Sequence, residues 1–465
     1  MSFQIDKIRV EKLKKAKEIS FRFPKETFED VTAVSKLFDL EDKSKITISG
    51  RITEIRKNGK IYFLDIKIDG IVQAFIQQTD KSNVFEEFKE LIDKGDYIRI
   101  YGSVDATNKI EIQNFILLAK SLFILPKVLN NTYLKNNFRY IDALIDSQVS
   151  IAINNQAKIL KAVRIELWDN DFSEFSTPIL STQYNGGAAT PFETTIRSLN
   201  KKGFLRVSSD IQLKMLIASG QKKIFELGNQ FRNEGLDSKH LPEFLMLEAY
   251  QTETEANSML QVALKIFERI ATAINGEAVY FHNGEKINCK ITDWKYINAR
   301  EEILKLANID ILNSEEELKN KVRNAGLIIE DNASFATIIN KLIENYILNN
   351  ATYPTIVEGL PYGMTPLIKK GANEFAQRYW LFASQIDFCD IGHEENDYFT
   401  QVDALNKQYE NQLQKKQHTQ VNEEIKSVIA FGIPPLSGIG MSLSRVAMIF
   451  ASSKDIRESS AFCFK

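Results

Sequence analysis

Between Phe231 and Tyr250 the chain reads FRNEGLDSKHLPEFLMLEAY, which sets an arginine, carboxylates, a lysine and a histidine between two strand-like runs, Lys223–Leu227 and Phe244–Tyr250. Such runs around a charged, turn-rich segment predict a hairpin whose reactive groups sit on the connecting loop. Arg232, at the end of the first run, carries a rigid fork of donors suited to bridging a carboxylate and a phosphate while the two react. On the second run Phe244, Met246, Glu248 and Tyr250 recur with period two, so an aromatic ring, a carboxylate and a phenol share one face. An ordinary charged hairpin with a half-buried face would show the same alternation.

The elements that must hold these groups follow from the rest of the chain. At 465 residues it should form more than one domain, with enough apolar content for a large core and no need of disulfides. Its three cysteines, Cys289, Cys389 and Cys463, form no CxxC pair, which points to a reducing compartment and no zinc site. No run has signal-peptide or membrane-span character, so a cytoplasmic protein without a membrane partner is expected. A net charge of −2 argues against nonspecific polyanion binding by the whole molecule and leaves room for a local basic surface that holds RNA.

Residues 1–42 alternate basic and apolar positions (Lys7, Arg9, Lys12, Lys14, Lys15 and Lys17 among Ile8, Val10 and Leu13) and read as one exposed basic helix followed by a tether. Residues 43–125 change to five short runs of period two, ITISGRITEIRK, KIYFLDIKI, VQAFIQ, YIRIYGSV and KIEIQNFILL, with tight turns such as Lys57-Asn58-Gly59-Lys60. That is the pattern of a small β-barrel of the oligonucleotide-binding (OB) type. Residues 126–150 read as a linker, and residues 151–465 as one large domain. The latter opens on a helix, Ile151–Asp169, with Ala152, Ile159, Ala162, Val163 and Leu167 close to one face, interrupted by Asn155 and Gln156. Within it, residues 255–350 carry helical segments with no reactive cluster.

The hairpin resembles the second signature motif of class II aminoacyl-tRNA synthetases, and is closest to the lysyl-tRNA synthetases: RNEG at Arg232–Gly235, a basic residue and His at Lys239 and His240, PEF at Pro242–Phe244, and E-x-Y at Glu248 and Tyr250. The resemblance extends over nearly the whole chain. FSEFSTPIL, ending near Pro178, is similar to the first motif, a dimer-interface element in that class. NGGAATPF (Asn185–Phe192) resembles the glycine loop beside the amino acid, and Leu205–Lys214 is a further family segment. Gly438–Arg445, preceded by FGIPPLSG, resembles the third motif. The implied fold is α+β: a class II antiparallel sheet flanked by helices, preceded by an OB-fold barrel, with residues 255–350 as a helical insertion forming a lid.

The implied activity is attack of the lysine carboxylate on the α-phosphate of ATP, then transfer of the lysyl group to tRNA by a homodimer. The resemblance assigns Arg232 and Arg445 as catalytic, and Arg232, Glu234, Lys239, His240, Phe244 and Arg445 to ATP. It assigns Gly186, Asp210, Glu248, Tyr250, Asp390 and Glu394 to the amino acid, and Arg56, Phe63 and Gln73 to the tRNA anticodon. Asp387 is assigned to Mg²⁺.

Several positions depart from the family pattern. Asp210 and Asp390 stand where a glutamate and an asparagine are expected, Asn114 where the barrel has a glutamate, and Ser442 and Ser444 where the third motif has glycine and aspartate. The two glutamates that hold magnesium in the family are here Trp380 and Asp387, and tryptophan cannot ligate magnesium. Three readings stay open: a lysine–tRNA ligase, a paralogue that adenylates lysine or a lysine-like amine for a non-tRNA acceptor, and a noncatalytic tRNA-binding or regulatory protein.

Overall fold

The computed structural model of the chain describes residues 4–19, 22–23, 43–79, 83–184, 189–414 and 423–462. The chain folds into two compact units, Met1–Ser150 and Ile151–Phe464. Among the described residues no helix is long and apolar enough to cross a membrane.

In the first unit five strands, β1 (Lys45–Asn58), β2 (Ile61–Lys67), β3 (Ile71–Gln77), β4 (Tyr97–Val104) and β5 (Ile110–Ala119), close a barrel in the order β1-β2-β3-β5-β4. Alternate residues, among them Ile46, Ile48 and Ile52 on β1 and Leu64 and Ile66 on β2, fill its interior, and the helix Val84–Leu91 adds Phe85, Phe88 and Leu91. This is the barrel that the period-two runs predict. At Gly50 any Cβ would lie 2.5 Å from Ile66 Cγ2, so only glycine lets β1 cross β2 there.

The basic helix is present at Lys7–Glu18, but it is not simply exposed. Ala16 joins the barrel core, Arg9 is buried and donates to the carbonyls of Lys94, Ser121 and Phe123, and Lys12 pairs with Asp93 at 2.7 Å. Alternating charge in the sequence shows a helix but not the carbonyls and acids that will satisfy it. The tether expected up to residue 42 lies outside the described residues, except for Arg22 and Phe23. The segment read as a linker contains two short helices, Thr132–Asn137 and Arg139–Ile145, packed around Leu129, Leu134 and Ile141.

The second unit is built on an eight-stranded sheet of order β14-β15-β16-β17-β18-β11-β10-β6. Its centre is antiparallel: β15 (Thr355–Glu358), β16 (Arg378–Ala383), β17 (Ile386–His393), β18 (Leu436–Ser442), β11 (Glu243–Thr252) and β10 (Lys223–Phe231). The edges β14 (Lys295–Asn298) and β6 (Ser173–Glu174) pair in parallel. One face is covered by the helices Ser147–Asp169, Ala256–Asn275 and Leu443–Ala451, whose apolar stripes join Phe225, Leu247, Ala249, Ile391, Ile439 and Met441 in the main core. The opposite face carries a smaller apolar cluster, in which Ile224, Tyr250 and Leu436 of the sheet meet Ile211, Leu213, Ile217 and Val428, beside polar residues such as Glu248.

The expected helical lid at residues 255–350 is corrected here. The helix Ala256–Asn275 is the main support of the sheet, with Met259, Leu260, Ala263, Phe267 and Ile270 fully buried, and β14 is part of the sheet itself. A two-stranded hairpin, Val279–His282 with Glu285–Asn288, follows that helix. Only the helices Ala299–Ala307, Glu315–Asn324 and Phe335–Tyr346 form a separate cluster, and it too packs on Val357 and Phe382 of the sheet. Periodicity identifies a helix and its apolar face without saying which partner covers it.

One buried ion pair ties the hairpin to the segment before it. Arg206 donates to Glu226 at 2.6 Å, to the Thr177 hydroxyl at 2.9 Å and to the Asn229 carbonyl at 3.0 Å. Arg206→Ala would leave Glu226 charged and buried, and should cost about 3–5 kcal/mol. Urea unfolding followed by tryptophan fluorescence would measure it, since Trp168, Trp294 and Trp380 all lie in the second unit. A loss under about 1 kcal/mol would show that the pair is not needed to hold this region.

Candidate active site

The hairpin β10–β11 segregates its residues as the period-two pattern requires. Leu247 and Ala249 point into the core, while Phe244, Met246, Glu248 and Tyr250 face two adjoining cavities. The strands run in register from Lys223↔Gln251 to Phe231↔Glu243, the first extending past the expected Leu227 to Phe231 and the second beyond its expected run at both ends. The neighbouring strand β18 is kept thin at the site: a Cβ at Gly438 would lie 2.4 Å from Tyr250 Cε1, and one at Gly440 3.1 Å from Met246 Cε. Glycine at these positions is what lets the tyrosine lie over the strand.

The first cavity, of about 590 Å³, is lined by Asp210, Glu248, Tyr250, Asp390 and Glu394, with Arg232 and Arg378 also on its wall. Asp210 opens the helix Asp210–Ala218, and one turn later Lys214 points back to it at 2.9 Å while also reaching Glu394 at 2.8 Å. The Tyr250 hydroxyl donates to Asp210 at 2.6 Å. Glu248 accepts from the Ser208 hydroxyl at 2.7 Å and from the Ser209 amide at 3.3 Å through Oε1 alone. Its Oε2 is buried without a hydrogen-bond partner.

These groups have displaced titrations. Burial pushes Glu248 from 4.5 up to about 7, with Asp210 adding to the effect. Burial also pushes Glu394 up, against the attraction of Lys214. For Lys214 burial acts downward, but the two adjacent carboxylates more than offset it and hold the ammonium charged. Asp210 and Glu394 thus share one lysine, and Glu248 lies close enough to Asp210 to feel its charge without a cation of its own, a crowding that an incoming ammonium would relieve.

The second cavity, of about 550 Å³, shares Arg232, Met246, Arg378, Asp390 and Gly440 with the first. Arg232 lies 5.2 Å over the Phe244 ring, and its guanidinium makes a long 3.5 Å hydrogen bond to the Val207 carbonyl. Burial pulls its pKa below the usual guanidinium value. Glu234 accepts from the Thr190 amide at 3.1 Å, and Lys239 donates to the Gln385 carbonyl at 3.0 Å. Arg445 reaches Asp387 at 2.7 Å and His240 at 2.8 Å, and His240 in turn contacts Asp237. Arg232, Glu234, Lys239, His240, Phe244 and Arg445 are therefore brought together around one space.

The magnesium assignment of Asp387 does not fit this geometry. Its carboxylate is the counter-ion of Arg445, Trp380 forms the wall where a second carboxylate is expected, and no group of three Asp, Glu, His or Cys side chains among the described residues could hold a metal. Magnesium demands near-octahedral oxygen ligands, which this wall does not supply. Gly186 lies outside the described residues. His393 is buried against the Ser437 hydroxyl, with its pKa lowered by burial.

Sequence reasoning misses three residues of the site. Lys214 carries a legible signal, since it stands one helical turn from Asp210. Arg378 shares a strand face with Trp380, and it chelates Asp390 at 2.8 and 2.6 Å while lying 4.5 Å over the Trp380 ring. Ser208, which fixes Glu248, has no signal of its own. In the barrel Arg56, Phe63 and Gln73 do share an outer face, where Arg56 chelates Asp65 at 2.7 Å and Gln73 approaches the same carboxylate at 3.4 Å. Asn114 is held elsewhere, by Arg22.

Comparison with known proteins identifies the family of both parts of the chain. The family described as tRNA synthetases class II (D, K and N) matches residues 131–465, and the OB-fold nucleic acid binding domain matches residues 46–123. The lysine–tRNA ligase of Syntrophomonas wolfei is 29% identical over 98% of this chain and 95% of that protein. That of Clostridium acetobutylicum is 31% identical over 90% and 84%, and lysine–tRNA ligase 2 of Methanosarcina mazei is 29% identical over 94% and 88%.

The raised Glu248 gives a stability signature. An unfolded chain releases this proton near 4.5 and the folded one near 7, so the folded state binds more protons between those values and loses stability as pH rises across the window. The melting temperature of ligand-free Glu248→Gln should therefore fall less over that window than that of the parent. Equal falls would place the Glu248 carboxylate in contact with water.

Proposed function

The chain belongs to the class II tRNA synthetases of the D, K and N group, and on that basis we propose that it activates lysine with ATP as lysyl-adenylate and transfers the lysyl group to tRNA. The observation that carries this reading is the floor of the first cavity. Asp210 and Glu394 share the ammonium of Lys214 while Glu248 has no cationic partner, so the floor holds more carboxylates than ammonium groups and suits an amine substrate such as lysine. The side-chain carboxylate of an aspartate substrate would find the wrong sign of charge there.

With its amines held by Glu248, Glu394, Asp210 and Tyr250, lysine directs its carboxylate toward Arg232 at the junction of the cavities. Arg232 draws the carboxylate and the α-phosphate together, a carboxylate oxygen attacks phosphorus in line, and pyrophosphate departs. Positioning and charge neutralisation carry such a step, with no strong base required. Phe244 and Arg445 enclose the adenine, Arg445 also reaches the γ-phosphate, Glu234 takes the adenine amino group, and Lys239 and His240 meet the outer phosphates. A ribose hydroxyl of tRNA then attacks the acyl carbon and AMP leaves. The barrel face bearing Arg56, Phe63 and Gln73 takes single-stranded anticodon bases by stacking and hydrogen bonding.

A cytoplasmic homodimer is part of this reading. Its interface falls on the helix Ser147–Asp169 and the segment to Pro178, where Ile151 and Trp168 are exposed. A second reading, transfer to a non-tRNA acceptor, is favoured by one observation: Asn114 replaces the expected glutamate and is held by Arg22.

The test is lysine-dependent exchange of pyrophosphate into ATP, followed by charging of lysine tRNA. Exchange with charging supports the first reading, and exchange without charging supports the second. Arg232→Ala should lower exchange by about 10²–10³-fold, the range for loss of one preorganised charge-stabilising donor, with an unchanged melting temperature. Exchange near the parent rate would remove Arg232 from the reacting centre.

A further inference from the structure

The wall of the nucleotide cavity has its own charge logic, and the following rests on the nucleotide-binding part of the proposed function. Trp380 occupies the wall as a half-buried ring with the Arg378 guanidinium 4.5 Å above it. Asp387, the other position of the expected ligand pair, is paired with Arg445 at 2.7 Å. Asp390 is likewise spent, with both oxygens on Arg378. The other acids on this wall are also engaged: Glu234 by the Thr190 amide, and Asp237 by the His240 ring and the amides that follow it.

Among the described residues each carboxylate on this wall already has a partner and no group of three could hold a metal, and a tryptophan stands where the family pattern has a carboxylate. The cations on this wall are fixed beside their acids. Arg378 is 10% exposed and Arg445 17%, each oriented by an acid behind it, with Lys239 at the rim and Arg232 at the junction. Guanidinium groups held in this way are preorganised, weakly hydrated and matched to phosphate oxygens. Magnesium without a protein ligand would keep its water shell and add little to the affinity of the site.

We infer that this site binds ATP with its phosphates neutralised by side-chain cations, Arg378 and Arg445 foremost, and without a divalent ion held by the protein. Arg378 thereby becomes a phosphate-positioning residue whose orientation is set by Trp380 and Asp390.

Calorimetric titration of the full chain with ATP, once in excess EDTA and once in excess magnesium, tests this directly. The two dissociation constants should agree within about tenfold. A larger weakening in EDTA overturns the inference while leaving nucleotide binding intact. Absence of binding in both conditions overturns it together with the nucleotide reading. Trp380→Glu, a change at the cavity wall, should open a gap of more than about tenfold between the two conditions by restoring a carboxylate. An unchanged ratio in that variant would show that residue 380 does not face the phosphates, and would overturn the inference as well.

Discussion

Burying Glu248, Glu394 and Lys214 around the half-buried Asp210 carboxylate is the constraint on which the catalytic unit depends. Ions taken out of water cost several kcal/mol each unless partners are fixed around them. Asp210, Glu248 and Glu394 come from a helix N-terminus, from β11 and from the residue just past β17, so they meet only if the sheet is rigid. The thick layer of Ala256–Asn275 and Leu443–Ala451 behind the sheet supplies that rigidity. The stored electrostatic cost is concentrated at Glu248, whose Oε2 has no partner in the free protein.

The same sheet separates two kinds of work on alternate residues. On β11 Leu247 and Ala249 are core, while Glu248 and Tyr250 between them are site. A substitution of one parity acts on stability and of the other on chemistry. The glycines of β18 extend this division across the strand boundary, because a side chain at Gly438 would displace the Tyr250 ring.

The charged residues of the adjoining wall depend on one another in the same way. Trp380 offers Arg378 a flat surface, Arg378 chelates Asp390, and Asp387 turns to Arg445, so that charges introduced or left over at each position are matched by a neighbour. Matched pairs avoid the penalty of a lone buried charge.

Local elements, and the faces they present, are legible from the order of residues alone. Period two in the barrel runs, the hairpin Phe231–Tyr250 with its polar face, and the helix Ile151–Asp169 are written in nearest-neighbour chemistry, and family motifs place Arg232, Glu248 and Arg445 around the joined cavities. The pairings across long separations emerge only in the folded chain. Lys214 with Glu394, Arg378 with Asp390, Arg445 with Asp387 and Arg22 with Asn114 each join residues 12 to 180 positions apart. The same holds for the helix Ala256–Asn275, expected as part of a lid and found as the floor of the sheet. A side chain's type and period say which way it points, but whether its charge is free or spent depends on what the folded chain brings opposite it.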